Sequence, residues 1–224
     1  MRLLLLRHGQ TPSNVDGILD ADHPGPGLTP LGRAQAEAVP AALAHERIDG
    51  LHVSPLLRTH ETAAPLAAAL DISPRITRGL EEISAGDLQG RRDEDAVHLY
   101  RSGQARWAGG DLTGALPGGE SGEQFWGRFT GALRHIARVH GPDATVVAVS
   151  HGAAIRVFAS VVAGLGADAW HDRPLYNTGM VTLTGDPEEG WELTDWISDP
   201  VGGAHLLADI EHDVTADDDA EAAV

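Results

Sequence analysis

Leu3-Leu4-Leu5-Leu6-Arg7-His8-Gly9 and Thr145-Val146-Val147-Ala148-Val149-Ser150-His151-Gly152 end alike, each an apolar run closed by His-Gly. A short apolar run bounded by glycine and followed by a helical pattern reads as a buried parallel strand. Ligands of open α/β sheets bind just beyond the carboxyl ends of such strands. If the two strands are neighbours, His8 and His151 meet at one site. Gly9 lets the backbone turn closely around a ligand there.

Working outward, strands are expected at 2–6, 48–53 and 145–149. Thr29-Pro30 opens a helix to near Glu46, with Thr as N-cap and Pro at the first helical position. Ser54-Pro55 repeats that signal for a second helix to Leu70. Residues 15–29 read as a loop, and Ile76 and Leu80 mark a further strand or extended segment. Residues 86–122 are irregular, with one short helix over 93–101 and a Gly-rich loop over 109–122. An insertion of this length between core elements is expected to form a small cap over the site. Ser121 or Glu120 opens a long helix to about His140, and another helix spans 152–163. A terminal hairpin turns around Gly185-Asp186-Pro187. The pattern predicts a three-layer α/β/α sandwich with a mostly parallel central sheet. One domain spans 1–207, followed by an acidic tail over 208–224 whose composition predicts disorder.

The chain has 224 residues and a formal net charge of −17. Seven acids lie between Asp209 and Val224, and the rest still holds 26 acids against 16 bases, all arginine. Such a surface argues against nucleic acid and anionic membranes as partners. There is no cysteine, which excludes disulfides and thiolate metal sites and fits a reducing compartment. The Leu3–Leu6 run is too short for a secretory signal, and no stretch approaches a membrane span. A cytoplasmic protein is expected. The remaining histidines lack metal-ligand spacing, so neither a metal nor a cofactor is expected. An exposed sheet edge offers a route to a homodimer.

Four segments carry the chemistry. Arg7-His8-Gly9-Gln10-Thr11-Pro12-Ser13-Asn14 places a guanidinium beside an imidazole at a strand end, suited to a phosphate or carboxylate oxygen. Ser54-Pro55-Leu56-Leu57-Arg58-Thr59 sets Arg58 in the first turn of a helix, where the helix dipole favours the same anion. Glu81-Glu82 lies between strand signals, and either carboxyl could protonate a leaving oxygen. His151-Gly152 closes the set.

Together these segments resemble the histidine phosphatase superfamily, the phosphoglycerate-mutase-like proteins. The resemblance also takes in Leu28-Thr29-x-x-Gly32-x-x-Gln35-Ala36 and Pro117-Gly118-Gly119-Glu120-Ser121. It implies that His8 is a nucleophile that becomes phosphohistidine. It implies that Arg7, Arg58 and His151 surround the transferred group, and that Glu82 rather than Glu81 is the general acid. Gln10, Asn14 and the Gly152 amide would add hydrogen bonds to phosphate or substrate. Tyr176-Asn177-Thr178-Gly179 resembles a family segment near the site, with Asn177 structural.

The implied activity is metal-independent hydrolysis of a small phosphomonoester. A phosphoglycerate-type mutase is the alternative within the family. Gln10 stands where many members carry Glu, Ser13-Asn14 replaces the Trp-Asn of glycolytic mutases, and there is no Lys for their substrate segment. These departures favour hydrolysis. A silent phosphate-binding module on the same fold is the reading from another class, and it has no need of all five core residues. Trp107 and Trp126 read as core packing before pocket lining.

Overall fold

A computed structural model describes residues 1–167, Trp170 and 172–208. From Asp209 onward, the expected acidic tail lies outside the described residues. Strands β1 (Arg2–Arg7), β2 (Gly50–Val53), β3 (Arg75–Ile76) and β4 (Thr145–Ser150) run parallel. β5 (Met180–Asp186) and β6 (Gly190–Ile197) add an antiparallel edge, giving the order β3-β2-β4-β1-β5-β6. β1 and β4 are neighbours with Arg7 opposite Ser150. Their carboxyl ends therefore deliver His8 and His151 to the same rim.

The apolar runs bury both faces of the sheet. Leu3, Leu5, Val146 and Ala148 pack with Phe129 and Phe158 on one side. Leu4, Leu6, Val147 and Val149 pack with Val39 and Leu66 on the other. The first side is covered by α4 (Glu94–Ala108), α5 (Gly122–His140) and α6 (Gly152–Ala163), the second by α2 (Pro30–Ala42) and α3 (Leu57–Leu70). Each buried leucine contributes about 1.5–3 kcal/mol. The sheet rim is thus a rigid base for side chains beyond it. Among the described residues no helix is long and apolar enough to cross a membrane.

Thr29 caps α2 as expected, its hydroxyl accepting from the Gly32 N–H at 3.0 Å. Ser121 and Gln124 form a reciprocal capping box at α5. Several boundaries differ from expectation. Thr11-Pro12, the same cap signal, opens a short helix α1 (Pro12–Asp16) where only a loop was expected to follow. α2 stops at Ala42, β2 starts at Gly50, and α4 runs past Arg101 to Ala108. Leu80 is buried just after a turn, outside any strand. Ser54 is not the N-cap of α3; the N-cap is Leu56, with no side-chain cap bond, and the Ser54 hydroxyl accepts from the Leu56 N–H at 3.3 Å and from the site.

Candidate active site

His8 follows β1 with its main chain fixed on both sides. Its N–H donates to the Ser150 carbonyl at 3.0 Å, and its carbonyl accepts from Asn177 Nδ2 at 3.1 Å. Nδ1 lies 2.8 Å from the Gly9 carbonyl. A carbonyl only accepts, so Nδ1 carries the proton and Nε2 keeps its lone pair. Nε2 makes no hydrogen bond to the described residues, and the ring lines a cleft. Burial, then the Arg58 and Arg7 charges, hold this imidazole well below its usual pKa. Gly9 serves a contact inside the protein: a Cβ there would lie 2.6 Å from the Gly32 carbonyl of α2.

His151 is wired differently. Arg58 Nε donates to its Nδ1 at 3.3 Å. Arginine only donates, so the proton sits on Nε2, which donates to Ser54 Oγ at 2.7 Å. Ser54 Oγ in turn lies 3.1 Å from Thr59 Oγ1. The His151 ring is fully buried, 5.2 Å from the His8 ring and at 61° to it. Burial, Arg58 and His8 keep it neutral. Arg58 comes from the first turn of α3, its Nη2 donating to the Asp20 carbonyl at 3.0 Å while Nη1 finds no partner among the described residues. Arg7 is fully buried and donates from Nη1 to the Leu175 carbonyl at 2.7 Å.

Glu82, and not Glu81, faces the cleft. Oε1 accepts from the N–H groups of Ile83 and Ala154, both at 2.9 Å, and Oε2 from Ala153 at 3.2 Å. Two of these donors are the opening amides of α6, a fixed seat for a carboxyl group. Burial nevertheless raises its pKa, against the pull of those amides and of Arg58. A raised pKa favours the protonated carboxyl, the form that can act as a general acid. Its loop is clamped by Arg128, which donates to the carbonyls of Gly79, Glu81 and Glu82 and takes Glu120 at both carboxylate oxygens.

Asn14 lines the cleft, with Oδ1 accepting from Thr11 and Asn177. Asn177 is thereby the structural residue expected. Gly152 begins α6 beside His151. Gln10 does not line the cleft; its amide oxygen accepts from Thr29 Oγ1 at 2.7 Å. Trp107 is buried in the core and stacked on Phe125, and Trp126 packs on Phe158. Three cleft or site residues escaped the sequence reading: Ser54, mistaken for a cap, and Asp20 and Tyr100, which line the cleft from the 15–29 loop and α4. Tyr100 donates to the Ile83 carbonyl at 2.7 Å, and burial pushes its pKa well up, so it stays protonated beside Glu82.

The chain is similar in sequence and fold to known proteins. A PE-PGRS family protein of Mycobacterium tuberculosis is 36% identical over 94% of this chain, which spans only 39% of that protein's length. The adenosylcobalamin/alpha-ribazole phosphatase of Salmonella typhimurium is 31% identical, over 77% of this chain and 85% of that protein. The solved structure of mycobacterial glucosyl-3-phosphoglycerate phosphatase with VO3 superposes with a TM-score of 0.74 at 28% identity, covering 88% of this chain and 99% of that one. The sequence pattern of the histidine phosphatase superfamily (branch 1) matches residues 3–199. With its two strand-end histidines, paired arginines and buried glutamate on the fold of those relatives, this chain belongs to the histidine phosphatase superfamily.

Proposed function

We propose that the protein hydrolyses phosphomonoesters through a phosphohistidine on His8. One observation carries this reading: the Gly9 carbonyl holds the Nδ1 proton and leaves Nε2 as a free lone pair facing a cleft shared with Arg58 and Glu82. In the first step Nε2 forms a bond to phosphorus as the ester P–O bond breaks. Glu82, protonated, passes its proton to the departing alkoxide. Charge developing on the imidazole is met by the Gly9 carbonyl. Charge on the phosphoryl oxygens is met by Arg58, with Arg7 adding positive potential. In the second step the Glu82 carboxylate takes a proton from water, the oxygen attacks phosphorus, and the P–N bond breaks. His8 and protonated Glu82 are restored. Dividing one hard displacement into two lowers each barrier. The cycle routes no step through a metal.

Burial and the two guanidiniums favour neutral His8 and His151, which leaves Arg7 and Arg58 as the permanent positive charges beside the bound phosphoryl group. Phosphate release from p-nitrophenyl phosphate in the presence of a chelator tests the activity. Quenching in alkali during turnover should trap an alkali-stable, acid-labile phosphoenzyme in the wild type and none in His8→Ala. Turnover by His8→Ala at the wild-type rate would remove the mechanism.

A further inference from the structure

The cleft beside His8 is bounded by Thr11, Ser13, Asn14, Asp20, Arg58 and Glu82, among others. Its charged lining is one arginine and two acids. His8, Arg58 and Glu82 are buried, whereas Asp20 is half-buried and so stands nearer the mouth. The Asp20 carboxylate is held rather than loose. Oδ2 accepts from Ser13 Oγ at 2.8 Å and Oδ1 from Gln89 Nε2 at 3.3 Å. Gln89 is itself anchored, its Oε1 accepting from the Ala21 N–H at 3.0 Å. Each carboxylate oxygen has a second lone pair for another donor. The Asp20 main chain takes one Arg58 nitrogen, so the carboxylate and the phosphate-binding guanidinium are parts of one frame.

A phosphoryl group against His8 and Arg58 uses the one cation lining the cleft. The alcohol portion of the ester is then left among the other lining residues, Asp20 included. A carboxylate or second phosphate on that alcohol would find no counter-ion among the lining residues and a fixed negative charge instead. Hydroxyl or ammonium groups would find an acceptor.

We infer that Asp20 is a specificity residue of this site, selecting monoesters whose alcohol bears hydrogen-bond donors and no negative charge. This rests on the phosphatase reading above.

The experiment compares kcat/KM for phosphate release from glycerol 3-phosphate and from 3-phosphoglycerate, which differ at the alcohol by a hydroxyl against a carboxylate. Wild type should favour glycerol 3-phosphate by about tenfold or more, the size expected for one like charge at a partly solvated rim. In Asp20→Asn that ratio should collapse at least about fivefold, chiefly through faster use of 3-phosphoglycerate. A structural role for Asp20 would change both esters alike, so an unchanged ratio in the variant overturns the inference. So does a wild type that prefers 3-phosphoglycerate, an outcome needing no variant to fold. If wild type releases phosphate from neither ester nor from p-nitrophenyl phosphate, the phosphatase reading fails on its own. Calorimetric affinities of the two esters for wild type then decide: tighter glycerol 3-phosphate supports the role of Asp20, and equal or reversed affinities remove it.

Discussion

Two histidine pairs stand edge to face in this molecule at nearly the same spacing. His8 and His151 are 5.2 Å apart at the sheet rim; His52 and His140 are 5.1 Å apart, between β2 and the end of α5. Both pairs are shifted toward the neutral form by burial. Proximity and pKa therefore do not distinguish them. Their wiring does. His52 Nε2 and His140 Nε2 bond to each other at 2.9 Å, and His52 Nδ1 lies 2.7 Å from Thr77 Oγ1. Both His52 nitrogens are used within the protein, and neither ring lines the cleft. At the rim the two rings do not bond to each other. One is locked by Arg58 and Ser54, and the other presents a free Nε2 beside a guanidinium and a carboxyl group. What sets His8 apart is the nitrogen left unused and what faces it.

Removing one histidine from each pair should separate the two most widely. His8→Ala should lose at least about a thousandfold in kcat on p-nitrophenyl phosphate, with its thermal transition close to wild type. His52→Gln should do the reverse, keeping kcat within about twofold and losing about 1–3 kcal/mol of stability for the broken buried bonds. Urea unfolding and steady-state kinetics on both variants check this. A His52→Gln variant as inactive as His8→Ala would break the comparison.

Glu82→Gln sharpens it on the acid side. The amide keeps an oxygen acceptor for the α6 amides but has no proton to give. The loss should reach about a hundredfold or more on an alkyl phosphate and be much smaller on p-nitrophenyl phosphate, whose leaving group departs unprotonated. An equal loss on both esters would argue that Glu82 only shapes the site. Ser54→Ala tests the lock on the second histidine. Without the hydroxyl the His151 Nε2 proton has no partner, and kcat/KM should fall about tenfold, the factor for one buried bond. Unchanged kinetics would show that Arg58 alone orients the ring.

The strands that build the rim were legible because four leucines and a Val/Ala run are buried on both faces, and a doubly buried strand cannot hide its composition. Arg7, His8, Arg58 and His151 were legible because each lies within a few residues of such a strand end. Glu82 was separable from Glu81 only through resemblance, since nothing local distinguishes two adjacent acids. The α6 amides that hold Glu82 lie about seventy residues away in sequence. Ser54 misled because Ser-Pro before a helix is a sound cap signal, and here the hydroxyl reaches only the Leu56 N–H ahead of the helix while also accepting from a buried imidazole. Asp20 and Tyr100 gave no signal, for they reach the cleft through the path of a loop and from a helix inside an insertion. Gln10 lies inside the first of the four segments, yet its amide oxygen is taken by the Thr29 hydroxyl.

The smallest effect concerns acid stability, and it applies to the pair away from the cleft. Burial, then the His140, Arg75 and His135 charges, lower the His52 pKa to about 4. An unfolded histidine titrates near 6.5. Below that pH the unfolded chain binds a proton that folded His52 refuses until about pH 4. The contribution of neutral His52 is therefore intact above 6.5 and is lost progressively as pH falls through this window. His8 and His151 add to the same acid loss, so it should not vanish in His52→Gln. The difference between wild-type and variant unfolding free energies isolates the one residue: the variant's deficit should shrink as pH falls from 7 to 4. Parallel curves would mean that His52 takes up its proton as readily folded as unfolded, and that the bond to His140 tolerates the added charge.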